Sequence, residues 1–178
     1  STKGRKIYEE LDRDFCAQVV EGEIVASNAL VKLLRLAQIT SGLVSVDTDP
    51  PEMIRVDSEK QKAVADLLED LPADEPVVIF GRFRSDLDAG HAAAKSLKRD
   101  SLELSGRRKE LEDWQAGKAP ILCVQIQAGG VGIDLTRASN GVYYSVGFSL
   151  GDYLQSLARL HRPGQKKKVT FYHLVATK

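Results

Sequence analysis

The chain has 178 residues, of which 43% are hydrophobic and 28% are charged. These values are ordinary for a globular domain, and they exclude a disordered or membrane-embedded chain. The 25 basic residues are balanced by 25 acidic ones, so no net charge attracts nucleic acid, and any such binding requires a local patch. No apolar run approaches the roughly 20 residues that cross a bilayer. We therefore expect a cytoplasmic protein whose two cysteines are reduced.

Residues 1–50 are predicted to form a helical extension and a linker. Apolar residues recur every four positions from Ile7 to Val19, and a second apolar stripe runs from Leu30 to Ala37, so two helices are expected. The segment from Thr40 to Pro51 ends in two prolines, which cannot continue a helix. We place the domain boundary in this segment, so that residues 51–178 form the second domain.

The second domain is predicted to be α/β, with a parallel sheet flanked by helices. A capping box at Ser58 begins a helix that runs to about Leu71. Short apolar runs then alternate mostly with helical stretches, a pattern typical of buried parallel strands. There are five such runs: Val77–Phe80, Leu102–Leu104, Ile121–Val124, Val142–Ser145 and Val169–Val175. Because ligands gather at the carboxyl ends of parallel strands, the loops after the first four runs are where a site is expected.

Two arginines and a glutamine precede the last apolar run. Gln155, Arg159 and Arg162 are spaced four and three apart, so on a helix they share one stripe. We expect Asp152 to cap this helix, the leucines to pack on the sheet, and the stripe to point outward. Guanidinium groups bind phosphoryl oxygens and stabilise charge during phosphoryl transfer. Taken alone, two such arginines are more often a solvated face.

A glycine-rich segment follows the apolar run Ile121–Val124. Residues 128–135 read Ala-Gly-Gly-Val-Gly-Ile-Asp-Leu. Glycine lets backbone N–H groups approach an anion closely, and Asp134 can accept hydrogen bonds from a ribose. A tight turn that binds no ligand explains the glycines equally well. A dinucleotide-binding fingerprint fits poorly, because its third glycine is replaced by Leu135.

Taken together, these segments resemble the motifs of superfamily-two helicases in the form found in Swi/Snf-type ATPases. The string Gln155-x-x-x-Arg159-x-x-Arg162-x-Gly164-Gln165 resembles motif six, and residues 128–135 resemble motif five. Residues 77–88 look like the fourth motif, and residues 104–106 resemble the segment that follows it. The resemblance covers about residues 28 to 178, and the motif-six string is its most specific part.

The resemblance implies a RecA-like domain of the P-loop NTPase type that closes on an N-terminal lobe of the same polypeptide. ATP and Mg²⁺ would lie between the lobes, and DNA, double-stranded rather than single-stranded, would cross the top. It implies that Arg162 is an arginine finger, helped by Arg159 and Gln155, and that Gly132 and Asp134 lie beside the ATP ribose. Nucleic-acid phosphates would be contacted by Arg82, Arg84, Ser105, Gly106, Gln127, Gly129 and Gly130.

The sequence departs from the family pattern at two places. Gln125 and Ile126 replace the usual hydroxyl residues, so one phosphate contact is either missing or supplied by the amide of Gln127. Arg82 and Arg84 stand where an uncharged polar residue is more usual. They either strengthen backbone binding or are surface charges, and the sequence leaves both interpretations open.

No phosphate-binding loop of the form Gly-x-x-x-x-Gly-Lys-Ser/Thr occurs in the chain. The groups that hold the ATP phosphates and Mg²⁺ are therefore expected on the partner lobe, and the chain alone is expected to be inactive and to bind no nucleotide tightly. Ser1 in place of Met suggests a piece of a longer protein, although processing could give the same start. The expected location is the cytoplasm, at the nucleoid if the source is a bacterium and in the host cytoplasm if it is a phage. The alternative hypothesis is a non-catalytic nucleic-acid or protein-binding module that retains the fold.

Overall fold

A computed structural model of the chain describes residues 1–128 and 132–176, and it contains two compact units, Ser1–Lys60 and Gln61–Val175. The division falls later than the predicted boundary at residue 50. The reason is local: residues 52–55 pair with residues 43–46 as a hairpin, which keeps them in the first unit. Within the described part of the chain, no helix has the length and apolar character needed to span a membrane.

The first unit combines two helices with two antiparallel hairpins around one apolar core. Side chains from both helices and both hairpins share this core, among them the fully buried Leu11, Ile24 and Val44. In chain order the elements are α1 (Thr2–Asp14), β1 (Cys16–Val19), β2 (Gly22–Val25), α2 (Ala29–Thr40), β3 (Leu43–Val46) and β4 (Glu52–Arg55).

The first unit is therefore not all helical, in contrast to the predicted extension. Helix α1 stops because Phe15 adopts a left-handed conformation with φ of 61°, and its N–H caps the carbonyl of Leu11. The chain then turns into β1 and β2, where Ala17 lies opposite Ile24. The prolines of the predicted linker lie in the connection between β3 and β4.

The second unit contains the predicted parallel α/β sheet, which is confirmed. Its first helix begins two residues before the unit does, and the elements are α3 (Glu59–Glu69), β5 (Val77–Gly81), α4 (Arg84–Ser96), β6 (Ser101–Leu104), α5 (Leu111–Gln115), β7 (Ile121–Gln125), β8 (Asn140–Tyr143), α6 (Leu150–Leu160) and β9 (Thr170–His173). The five strands are ordered β6-β7-β5-β8-β9, and every neighbouring pair is parallel.

Helices cover both faces of this sheet, which explains why its strands read as continuous apolar runs. Val77 and Ile79 face a core shared with α3 and α4. Val78 and Phe80 face the opposite core, which contains Trp114 of α5 and Leu160 of α6. Trp114 is fully buried. With both faces covered, the carboxyl edge is where the loops after β5, β6, β7 and β8 meet.

Gly141 in β8 lies too close to its neighbours to accept a larger side chain. A Cβ there would approach Phe171 Cδ1 to 2.9 Å and Leu160 Cδ2 to 3.2 Å. We expect Gly141→Ala to lower the free energy of unfolding by about 1–3 kcal/mol through overpacking. Urea unfolding followed by the fluorescence of Trp114, the single tryptophan, measures this. Gly106→Ala is the control, since its Cβ would meet nothing within 4 Å; equal losses in both variants would contradict the packing explanation.

Candidate functional site

Helix α6 carries the glutamine and the first arginine of the predicted motif and ends just before the second. Its N-cap is Ser149, whose hydroxyl accepts a hydrogen bond from the backbone N–H of Asp152 at 3.2 Å. The predicted cap at Asp152 is therefore wrong by three positions, because a serine hydroxyl already occupies the capping position. The helix stops at Leu160, and Gly164 follows with φ of 105°. Arg162 consequently lies beyond the last turn.

Arg162 is exposed and lies beside the turn that follows β7. Its Nη1 is 3.5 Å from the carbonyl oxygen of Ile133, which is the outer limit of a hydrogen bond. The guanidinium also lies close enough to Asp134 to contribute to lowering the pKa of that carboxyl group. The structure thus brings the second arginine of the motif together with the glycine-containing turn.

Arg159 does not share this orientation. Its side chain is buried, with 7% of its surface exposed, whereas Gln155 and Arg162 are exposed. The predicted outward stripe is therefore wrong at Arg159. The cause is the docking of α6: the helix buries Ser156, Arg159 and Leu160 rather than Leu154, which is 53% exposed.

Burial lowers the pKa of Arg159, and the nearby carboxylate of Asp152 only partly opposes this shift. The backbone carbonyl oxygen of Arg159 also accepts a hydrogen bond, from Leu135 N–H at 3.2 Å. This bond joins the end of α6 to the turn that contains Asp134. The first arginine therefore lies inside the second unit, on the α6 side of the sheet.

The turn after β7 holds Gly132 and Asp134 at the surface. Gly132 has φ of 99°, and a Cβ there would meet no atom within 4 Å, so this part of the turn borders open space. Asp134 Oδ1 accepts hydrogen bonds from Thr136 N at 2.9 Å and Thr136 Oγ1 at 2.7 Å. These bonds lower the pKa of Asp134. Gly132 and Asp134 are therefore available to a ligand at this edge, with the carboxylate ionised.

Three more residues near this turn are predicted to contact nucleic acid: Gln127, Gly129 and Gly130. Gln127 is exposed, in a short 3-10 turn (Ile126–Ala128) directly after β7. Gly129 and Gly130 lie outside the described residues.

The loop after β5 carries the two arginines that depart from the family pattern. Arg84 is exposed at the first turn of α4. The Arg82 guanidinium lies over the ring of Phe148, 4.4 Å from its centroid, and 5.2 Å from that of Phe83. Phe148 is itself 62% exposed. Arg82 is therefore held by aromatic contacts, whereas Arg84 projects from the helix.

Asp86 is a buried residue at this edge that the sequence reasoning missed. Its Oδ2 accepts hydrogen bonds from the backbone N–H groups of Arg82 at 3.1 Å and Phe83 at 2.9 Å, and from Ser145 Oγ at 2.5 Å. The loops after β5 and β8 are thereby tied together. Its sequence signal is an acidic residue in the first turn of a helix that follows a strand.

Ser105, in the loop after β6, is not placed as a surface hydroxyl. It is 3% exposed and donates a hydrogen bond to Glu103 Oε1, and its oxygen accepts one from Arg107 N–H at 3.0 Å. The predicted hydroxyl contact to a nucleic-acid phosphate is therefore not available in this structure. Gly106 beside it is exposed.

Glu103 is the fully buried carboxylate that organises this loop. It accepts hydrogen bonds from Arg107 Nε at 2.8 Å and Nη2 at 2.9 Å, and it lies 3.0 Å from His91 Nε2. Burial raises the pKa of Glu103, but the hydrogen bonds from Arg107, Ser105 and His91 outweigh it and lower that pKa to about 2. His91 had no partner at any recognisable sequence spacing, because the contact is formed between α4 and β6.

Comparison with known proteins gives the same assignment as the motifs. The model of the helicase conserved C-terminal domain family matches residues 59–164. The uncharacterized ATP-dependent helicase MG018 of Mycoplasma genitalium is 28% identical over 99% of this chain and 18% of its own length. The chromatin-remodeling ATPase INO80 of Cryptococcus neoformans is 31% identical over 71% of this chain and 8% of its own length. The chain thus spans less than a fifth of either relative.

Two solved structures share the fold. The C-terminal part of the Fun30 ATPase domain superposes with a TM-score of 0.58 and 30% identity, over 65% of this chain and 40% of that one. The C-terminal domain of the DEAD-box protein Dbp5 has a TM-score of 0.52 and 18% identity, over 66% of this chain and 71% of that one. The second likeness concerns the fold alone.

The Glu103 cluster makes the stability of the second unit depend on pH. A carboxylate whose folded pKa is about 2, against an ordinary value of 4.5, stabilises the fold fully above pH 4.5 and loses that contribution as the pH falls toward 2. Glu103→Gln should cost about 3 kcal/mol at pH 7, and the difference from the wild type should shrink below pH 4.5. Unfolding curves at several pH values measure this.

Glu112→Gln is the matched control for this prediction, because Glu112 is an exposed glutamate on α5. We expect its stability profile to follow that of the wild type. A Glu103→Gln variant whose deficit is constant from pH 7 to pH 2 would contradict the assignment of the buried, ionised carboxylate.

Proposed function

Because the chain belongs to the helicase conserved C-terminal domain family, we propose that it is the C-terminal motor lobe of an ATP-dependent DNA helicase or translocase of the Swi/Snf type. An N-terminal lobe of the same polypeptide would hold most of the ATP, and this chain would close on it. The observation that carries the proposal is the position of Arg162, exposed beyond the end of α6 and beside the turn that contains Gly132 and Asp134.

Arg162 has the chemistry required of an arginine finger. A guanidinium group offers paired hydrogen-bond donors in a geometry that matches phosphoryl oxygens. When supplied from a neighbouring surface, such a group stabilises the charge that develops on the γ-phosphate, an effect of about 10³–10⁵ in rate. The 3.5 Å contact to the carbonyl oxygen of Ile133 is weak, so the side chain can turn toward a phosphate, which is a stronger acceptor.

Arg159 and Gln155 have different proposed roles. Arg159 contacts a phosphate only if its side chain leaves the buried position, so we assign the finger role to Arg162 and a supporting role to Arg159. Gln155 is exposed on α6, one turn before Arg159, and is proposed to couple α6 to the partner lobe. Gly132 and the ionised Asp134 are proposed to border the ATP ribose.

Across residues 1–128 and 132–176, no three histidine, cysteine, aspartate or glutamate side chains converge as metal ligands do. In the proposed motor Mg²⁺ would neutralise phosphate charge, and no step assigned to this chain passes through it.

Nucleic acid is proposed to lie along the carboxyl edge of the sheet. Arg84 is exposed at the start of α4, and Gly106 and Gln127 are exposed after β6 and β7; the parallel strands bring these positions to one edge. Contacts from such groups to phosphates position a strand without reading its sequence. The names of the relatives, an ATP-dependent helicase and a chromatin-remodeling ATPase, support this partner class.

Removal of the Arg162 guanidinium tests the central assignment. In a polypeptide that carries both lobes, we expect Arg162→Ala to lower the kcat of DNA-stimulated ATP hydrolysis by about 10³-fold, because charge on the γ-phosphate is no longer stabilised. Lys95→Ala is the control, since Lys95 is an exposed cation in the last turn of α4, about 16 Å along the helix from the carboxyl edge. Unchanged turnover in Arg162→Ala would contradict the assignment of Arg162 as the arginine finger.

Charge reversal at Arg84 tests the proposed nucleic-acid surface. We expect Arg84→Glu to weaken binding of a double-stranded DNA oligonucleotide to this chain by roughly tenfold and to reduce the slope of log K against log salt by about 1. Lys95→Glu makes the same charge change at the other end of α4 and should have little effect.

The two variants together separate the motor from the alternative. DNA binding that depends on Arg84, in a two-lobed polypeptide that hydrolyses no ATP, would favour a non-catalytic binding module. Equal weakening by Arg84→Glu and Lys95→Glu would contradict the proposed surface, because the loss would then reflect overall charge.

A further inference from the structure

Hydroxyl groups join helix α6 to the sheet beneath it. Tyr143 at the end of β8 and Ser156 in the middle of α6 are both almost fully buried, and their oxygens lie 2.5 Å apart. Ser156 Oγ also donates a hydrogen bond to the carbonyl oxygen of Tyr153 at 2.7 Å. Because a serine hydroxyl has one proton, Tyr143 must be the donor in the first bond. The chain of bonds therefore runs from Tyr143 through Ser156 to the backbone of α6.

The Tyr143 ring is itself held in a fixed place. It stacks on Phe80 with centroids 4.8 Å apart and an interplanar angle of 17°, and on His173 at 4.8 Å and 12°. These three residues are directly opposite one another in β5, β8 and β9. Burial raises the pKa of Tyr143 to about 12, so the phenol keeps its proton at neutral pH.

A second bond connects α6 to the next strand. Tyr153 OH lies 3.0 Å from His173 Nε2 on β9. Tyr153 and Ser156 are three residues apart and so lie on neighbouring positions of one helix face. Two anchors on one face, reaching two adjacent strands, restrict both the rotation of α6 about its axis and its sliding along the sheet.

The rotation of α6 determines where its arginines lie. A side-chain tip at the surface of a helix, about 5 Å from the axis, moves about 2 Å when the helix rotates by about 20°. Displacement of a catalytic group by about 1 Å can lower a rate by about 10²-fold. Arg159 is three residues beyond Ser156, and Arg162 lies two residues beyond the last residue of the helix.

We propose that Tyr143 and Ser156, assisted by Tyr153 and His173, are positioning residues that set the rotation of α6 and thereby direct Arg162 toward the bound nucleotide. The inference rests on the proposed function, because it assigns a purpose to the placement of the finger. None of the four side chains touches the nucleotide in this scheme. They act through the helix that leads to Arg162.

The double variant Tyr143→Phe/Ser156→Ala separates positioning from stability. It removes both hydroxyls together and keeps the stacked ring, so no buried hydroxyl is left without a partner and the thermal midpoint should stay near that of the wild type. In the two-lobed polypeptide we expect kcat about tenfold lower with KM for ATP unchanged, since only a transition-state interaction is weakened. Tyr172→Phe is the control, because Tyr172 lies on β9 and packs into the opposite core.

Amide hydrogen exchange in this chain gives a readout that needs no ATP hydrolysis. Leu135 N–H bonds to Arg159 O at 3.2 Å, so its exchange reports whether the end of α6 stays docked. We expect exchange at Leu135 to be at least fivefold faster in the double variant and unchanged in Tyr172→Phe.

The two readouts distinguish failure of this inference from failure of the proposed function. Wild-type kcat and wild-type Leu135 exchange in the double variant would overturn the positioning role, as would a loss of stability with kcat and exchange both unchanged. If the two-lobed polypeptide hydrolyses no ATP, the proposed function fails, and faster or unchanged exchange at Leu135 still decides whether the hydroxyls hold α6.

Discussion

The parallel pairing of five strands, with helices packed on both faces, is the constraint on which the second unit depends. Parallel strands end at the same edge, so the loops after β5, β6, β7 and β8 converge although they are far apart in sequence. Because both faces of the sheet are buried, neither face is open to a ligand. The groups with phosphate-binding chemistry, Arg84 and Arg162 among them, are exposed in the loops and at the helix ends of this edge.

Buried polar groups give this edge its shape. Asp86 ties the loop after β5 to Ser145, and Glu103 holds Arg107 in the loop after β6. Tyr143 connects β8 to α6 through Ser156. A polar group in a low-dielectric interior is costly unless it is hydrogen-bonded, so each of these side chains favours one arrangement of its loop. The exposed cations therefore extend from loops and a helix end whose positions are fixed by these buried groups.

The sequence predicted the sheet well, because strands buried on both faces are short, continuous apolar runs separated mostly by helical stretches. The first unit was harder, since four-residue strands are too short to establish a period and the spacing from Ile7 to Val19 also fits a helix. Phe15 ends α1 in a left-handed conformation that is unusual for a large side chain. The burial of Arg159 and the pairing of His91 with Glu103 arise from tertiary packing, which no local spacing encodes. The motifs therefore identified the edge, and the structure was needed to distinguish its exposed arginine from its buried one.

The two arginines of the motif occupy different environments in this chain, since Arg159 is buried and Arg162 is exposed. Because the chain belongs to the helicase C-terminal family, this difference bears on its function. The most direct measurement is a structure of the two-lobed polypeptide with a transition-state analogue such as ADP–aluminium fluoride. If Arg162 is the finger, its guanidinium should lie about 3 Å from the fluoride group, at charge-assisted hydrogen-bond distance. A closed structure in which Arg162 points to solvent, away from the nucleotide, would contradict this assignment.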